Sequence, residues 1–144
     1  MSGKIVVGYD GSAASQRALN FAVEQAKSQG SSILVAHVLE WSPYSFLTPQ
    51  ELEERHKRRN EELARAEEAL MGSVNERLAD SGIEVETLIK YGHIAKTLVG
   101  ICQESGASQI VIGRDGETSL GARVFGSVAG TLAQAAPVPC TIVP

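Results

Sequence analysis

The 144-residue sequence predicts an open doubly wound α/β fold: one domain of five parallel strands in the order 3-2-1-4-5, with helices on both faces. Three observations carry that expectation. Five short runs read as strands, most of them apolar almost without interruption, the pattern of strands buried on both faces. The longer stretches between them repeat apolar residues at helical spacing. No linker, repeat or low-complexity segment divides the chain, whose length suits one core.

Each element has a local reason. Lys4 to Gly8, KIVVG, reads as a buried strand that turns polar at Tyr9-Asp10-Gly11-Ser12. Ala18, Leu19, Ala22, Val23 and Ala26 then share one helical face, and Gly30 stands where a helix ends. Ser32 to Leu39, SILVAHVL, is the second strand, followed by a loop from Glu40 to Leu47. Thr48 as N-cap, Pro49 at the first helical position and Glu51 closing a capping box open a helix expected to run to about Ala79. Its first half is densely charged and reads as a solvated face laced with i,i+4 pairs. Gly82 to Ile89 alternates more than the other runs, so this third strand is expected nearer an edge. Ile94, Leu98, Val99 and Cys102 mark a helix stopped by Gly106, and Gln109 to Ile112 is the fourth strand. A helix opening at Ser127 is broken by Pro137 and Pro139, and Cys140 to Val143 forms the last strand.

Composition narrows the function. A net charge of -4 and a pI near 5.4 leave no basic footprint for nucleic acid. No segment approaches the roughly 20 apolar residues of a membrane span, and MSGKIVVGYD has none of the parts of a signal peptide, so a cytoplasmic protein is expected. Cys102 and Cys140 sit in apolar contexts without metal-ligand spacing and read as small buried hydrophobes. Of the histidines, His37 reads as a satisfied core or inter-element residue, His56 as part of the charged face, and His93 as a surface or capping residue. No set of them makes a nucleophile, base and orienting group at readable spacing.

One stretch is unlike packing material: IGRDGETSLGARVFGSVAG, from Ile112 to Gly130. Gly113 and Gly116 let a backbone take positive φ and lie against a ligand. Gly126-Ser127 is expected to start a helix, where unpaired N–H groups and the positive dipole end favour an anion. Arg114 and Arg123 add positive charge. The combination suits phosphates, although neither GxxxxGK[ST] nor GxGxxG is present. Asp10 and Gly113 fall at the carboxyl ends of strands one and four, where ligands of such sheets bind. Asp10 also has a plainer reading, as a cap of the first helix.

Gly113-x2-Gly116-x9-Gly126-Ser127 resembles the nucleotide-binding signature of the ATP-binding members of the universal stress protein family. IVVGYDGS, ILVAHV and GSVAGTL with APVPCTIV resemble the family's first strand and turn, second strand, and last helix and strand, so the resemblance covers essentially the whole chain. It implies an adenine nucleotide, ATP or else AMP or ADP, held between the two loops. Asp10 would accept hydrogen bonds from ribose or adenine, and backbone near Val38 would read the adenine edge. Gly113 and Gly116 would wrap ribose and phosphates, while Gly126, Ser127 and Val128 would supply N–H groups and a hydroxyl to the phosphate chain. Gly8, Tyr9, Ile112, Arg114, Arg123 and Ala129 complete the expected site. Asp115 and Glu117 would repel phosphate unless neutralised or used to hold a divalent ion such as Mg²⁺. The family pairs its last strand across a two-fold axis, which implies a homodimer through Cys140 to Val143, alongside a regulated partner protein not named by the sequence. The expected activity is nucleotide holding rather than catalysis. Two other readings stay open: a slow Mg-dependent ATPase or phosphotransferase, and a dimeric interaction protein that needs no nucleotide.

Overall fold

A computed structural model describes residues 3–40, 50, 53–54, 57, 61, 64–65, 67–114 and 121–144; of Glu40, Glu67 and residues 121–127 it describes the backbone alone. Strands β1 (Lys4–Gly8), β2 (Ser32–Glu40), β3 (Val85–Gly92), β4 (Gln109–Gly113) and β5 (Cys140–Val143) form a parallel sheet in the order β3-β2-β1-β4-β5. Helices α1 (Ala13–Gln29), α2 (Gly72–Leu78), α3 (Ile94–Ser105) and α4 (Gly121–Ala135) connect them, and a π-helical segment, Glu67–Met71, leads into α2.

The inner strands β2, β1 and β4 are covered on both faces, which is why they carry no regular polar alternation. On one face Ile5, Val7, Val35 and Val111 pack with Leu19 of α1, Met71, and Val74 of α2. On the other, Val6, Leu34, Ile110 and Ile112 pack with Leu98 and Ile101 of α3 and Leu132 of α4. Successive residues of β1 thus feed opposite layers.

Local chemistry sets the helix ends. Ser12 caps α1 by accepting the Ser15 N–H, and Gly30 closes the helix at φ +67, a conformation that costs glycine nothing. His93 caps α3 with Nδ1, which accepts the Lys96 N–H at 3.4 Å, and Gly106 ends it in the same left-handed geometry as Gly30. His93 is therefore a capping residue, as its position in the sequence suggested.

Several boundaries differ from expectation. β3 starts at Val85, not Gly82, because Gly82 sits at φ +76 in a turn where the Ile83 N–H donates to Ser81 Oγ. Pairing then runs on past Ile89 to Gly92 opposite Glu40. β4 takes in Gly113, which pairs with Val143. α4 opens at Gly121, six residues ahead of Ser127, since Ala122 to Phe125 contain no breaker and one glycine inside a helix costs only ~1 kcal/mol. Thr48, Pro49 and Glu51 lie outside the described residues. Beyond them Gln50, Glu53, Glu54, Lys57, Glu61, Ala64 and Arg65 are helical and exposed, consistent with a solvated charged face.

Candidate nucleotide site

Strand order reverses between β1 and β4: the chain builds β2 and β3 on one side of β1, then crosses to place β4 and β5 on the other. The helices that follow β1 and β4 pack on opposite faces of the sheet, and folds of this class bind ligands at such a point, outside the carboxyl ends of the strands. The turn after β1 is tightly organised. The Tyr9 N–H donates to the Ala36 carbonyl at 2.9 Å, extending the β1–β2 ladder, and the Tyr9 side chain is buried in the α1-side core. The Tyr9 carbonyl accepts from Nδ1 of His37 at 2.8 Å. Next along, the Asp10 N–H donates to Ser15 Oγ at 3.4 Å, and Oδ1 of Asp10 accepts the Ser12 N–H at 2.9 Å.

These bonds separate the two readings of Asp10. Ser12 caps α1, so the Asp10 carboxylate does not. It closes an Asx-turn with one oxygen, and Oδ2 has no partner among the described residues. Asp10 is half-buried beside the α1 N-terminus, where a negative charge is favoured. What it offers a ligand at the strand ends is an acceptor.

The other expected site residues divide by what they touch. A Cβ on Gly113 would stand 2.8 Å from the Ala14 carbonyl carbon and 2.9 Å from the Ala14 Cβ. Gly113 is therefore required for the first turn of α1 to lie against β4, an explanation different from ligand approach. Gly8 plays a similar part, since a Cβ there would meet Ile112 Cγ2 at 3.0 Å. Ile112 is wholly buried, and Val38 is half-buried against the α3-side core with its backbone at the strand end. The Arg114 N–H donates to the Val143 carbonyl at 2.8 Å, and its side chain is exposed.

Val128 and Ala129 are 8% and 5% exposed, with their side chains in the core under α4. Because α4 starts at Gly121, the N–H groups of Gly126, Ser127 and Val128 lie beyond its first turn, where the i−4 ladder uses them. The N–H groups outside the i−4 ladder and the positive dipole end of this helix are at Gly121 to Val124, not at the expected Gly126-Ser127. Gly116 falls outside the described residues, as do the side chains of Arg123 and Ser127.

Sequence reading placed His37 in the core without its bond to Tyr9. The available signal was a lone imidazole in an otherwise apolar strand, since a buried polar group needs a partner. Ser15 is wholly buried, with Oγ donating to the Ser12 carbonyl at 3.0 Å. Away from Asp10, a cavity of about 570 Å³ at the amino edge of the sheet is lined by residues including Lys4, Lys27, Ser31 and Ser105. It lies at helix carboxyl ends, on the side of the sheet opposite the strand ends where such folds bind ligands. No group of three or more metal-ligating side chains occurs among the described residues, and no helix among them is long and apolar enough to cross a membrane.

Comparison with known proteins agrees with this architecture. The model of the universal stress protein family matches residues 1–144. The universal stress protein YxiE of Bacillus subtilis is 30% identical over 156 residues, covering 99% of both chains. The structure of universal stress protein UspA from Lactobacillus plantarum superposes with a TM-score of 0.85 at 26% identity, over 99% of this chain and 97% of that one. A universal stress protein family protein from Arabidopsis thaliana, solved with AMP bound, superposes with a TM-score of 0.66 at 20% identity, over 98% of this chain and 90% of the other.

Proposed function

The chain belongs to the universal stress protein family, and from that premise we propose that it binds an adenine nucleotide in the crevice between the Tyr9–Ser12 turn and the loop after β4. One observation carries the reading: at the strand-order reversal stands a carboxylate that spends one oxygen on its own turn and turns no described group to the other. A solved relative holding AMP on the same fold supports it.

In this reading Oδ2 of Asp10 accepts hydrogen bonds from sugar hydroxyls, and the backbone of Val38 reads the adenine edge. The segment from Arg114 through Gly116 to the start of α4 lines the phosphates, with Arg114 and Arg123 as the positive charge. ATP, ADP and AMP share the groups recognised, and Mg²⁺ accompanies the phosphates of ATP. Binding, rather than bond cleavage, is the activity in this reading. The holder acts in the cytoplasm, on a partner protein, and as a homodimer joined along β5. That strand is a sheet edge with Ile142 37% exposed, the kind of edge that needs cover.

Freshly purified protein should release adenine nucleotide when denatured, as identified by chromatography of the supernatant, whereas Asp10→Ala should release none. A wild type that carries no nucleotide and acquires none at millimolar ATP would overturn the reading.

A further inference from the structure

We infer that His37 is a positioning residue of this site: through the Tyr9 carbonyl it holds the Tyr9–Asp10 peptide so that Asp10 presents Oδ2 to the sugar hydroxyls of the nucleotide, an inference that rests on the function proposed above.

The peptide is gripped on both sides by elements that flank the crevice. A carbonyl only accepts, so the 2.8 Å contact fixes the ring hydrogen on Nδ1, donated from β2 to the Tyr9 oxygen. From α1, Ser15 Oγ receives the Asp10 N–H; that hydroxyl spends its own hydrogen on the Ser12 carbonyl, leaving a lone pair for Asp10. Ser12 N–H then holds Oδ1. The next residue, Gly11 at φ +83, offers no side chain to restrain the turn, so these three bonds determine where Oδ2 points.

The environment argues that the imidazole is there for this contact. SILVAHVLE is otherwise apolar from Ile33 to Leu39, and His37 is only 9% exposed among the α1-side core groups. An aliphatic residue would continue the run and avoid the cost of burying a ring nitrogen. What it would lose is the donor to Tyr9. His37 also precedes Val38, so adjacent residues of β2 would serve the sugar contact, indirectly, and the base contact.

Calorimetric binding of AMP and of 2′,3′-dideoxy-AMP to nucleotide-stripped protein tests this. Wild type should prefer AMP by about tenfold or more, the order expected for hydrogen bonds to a carboxylate. His37→Leu should lose most of that preference while keeping its affinity for the dideoxy nucleotide. His37→Asn, whose amide nitrogen reproduces the Nδ1 donor, should restore the preference. Ser15→Ala, which removes the grip from the other side, should reduce it; if His37→Leu does not fold, this variant decides. A preference unchanged in His37→Leu, or unchanged in Ser15→Ala where that variant decides, overturns the inference. So does failure of His37→Asn to restore it, or equal loss of both nucleotides in a folded His37→Leu. A wild type that binds both nucleotides equally overturns the inference but leaves nucleotide binding standing, whereas a wild type that binds neither overturns both.

Discussion

At the scale of residues, small changes of chemistry have large structural consequences. Gly113 admits the first turn of α1 against β4, and a methyl group there would press on the Ala14 backbone at 2.8 Å. Gly113→Ala should therefore destabilise the protein by ~1–3 kcal/mol, the usual range for overpacking, read from denaturant unfolding. The sequence showed a glycine at that position but not its reason, because Ala14 is 99 residues away in the chain and meets it only through packing. Cys102 behaves as its apolar context suggested. Burial, with a smaller contribution from the nearby Cys140, pushes its thiol up to about 11. Below the ordinary thiol value of 9.0 both folded and unfolded chains keep the proton; above it the unfolded chain loses its proton first. Stability should thus fall as pH rises from about 9 to about 11, and Cys102→Ala should lack that part of the slope. Native Cys102 should also alkylate far more slowly at pH 8 than in the unfolded chain.

At the scale of elements, most strands were legible because burial on both faces writes itself as continuous apolar runs. Their ends were less so. The third strand's start depended on the Ser81–Gly82 turn, and β4's last residue on a partner strand. The glycine-rich stretch suggested a loop as far as Gly126, yet helix propensity from Ala122 to Phe125 carries α4 back to Gly121. That moves the helix's free N–H groups toward the loop after β4 and away from Ser127. α1 depends on its cap: Ser12 satisfies the Ser15 N–H and its own N–H holds Asp10. Ser12→Ala, which removes the hydroxyl, should cost ~1 kcal/mol of stability and lower Tm by a few degrees. Its binding of AMP should weaken less than that of Ser15→Ala, because the Ser12 backbone N–H to Asp10 survives.

At the scale of the whole molecule, two layers of apolar side chains clamp a sheet whose strand order reverses beside Asp10. Asp10 was legible as the residue at that point, and its role as a turn-holding carboxylate with one oxygen to spare was not, since only the geometry shows Ser12 taking the cap. The free edge at β5 carries a second consequence. Ile142, 37% exposed, faces outward, whereas Val143 packs against the core, so Ile142→Lys is the substitution that tests pairing without unfolding the strand. It should convert a dimer to a monomer on sizing chromatography; a wild type that already elutes as a monomer would remove β5 as an interface. Bound nucleotide should also stabilise the fold, by ~2.7 kcal/mol at a hundred times Kd. The most direct test of nucleotide binding is calorimetric titration of stripped protein with ATP and AMP beside Asp10→Ala. Saturable binding with Kd below about 1 mM, weakened at least about tenfold in the variant, is the predicted result; no saturable heat with either nucleotide, or equal binding by Asp10→Ala, would contradict it.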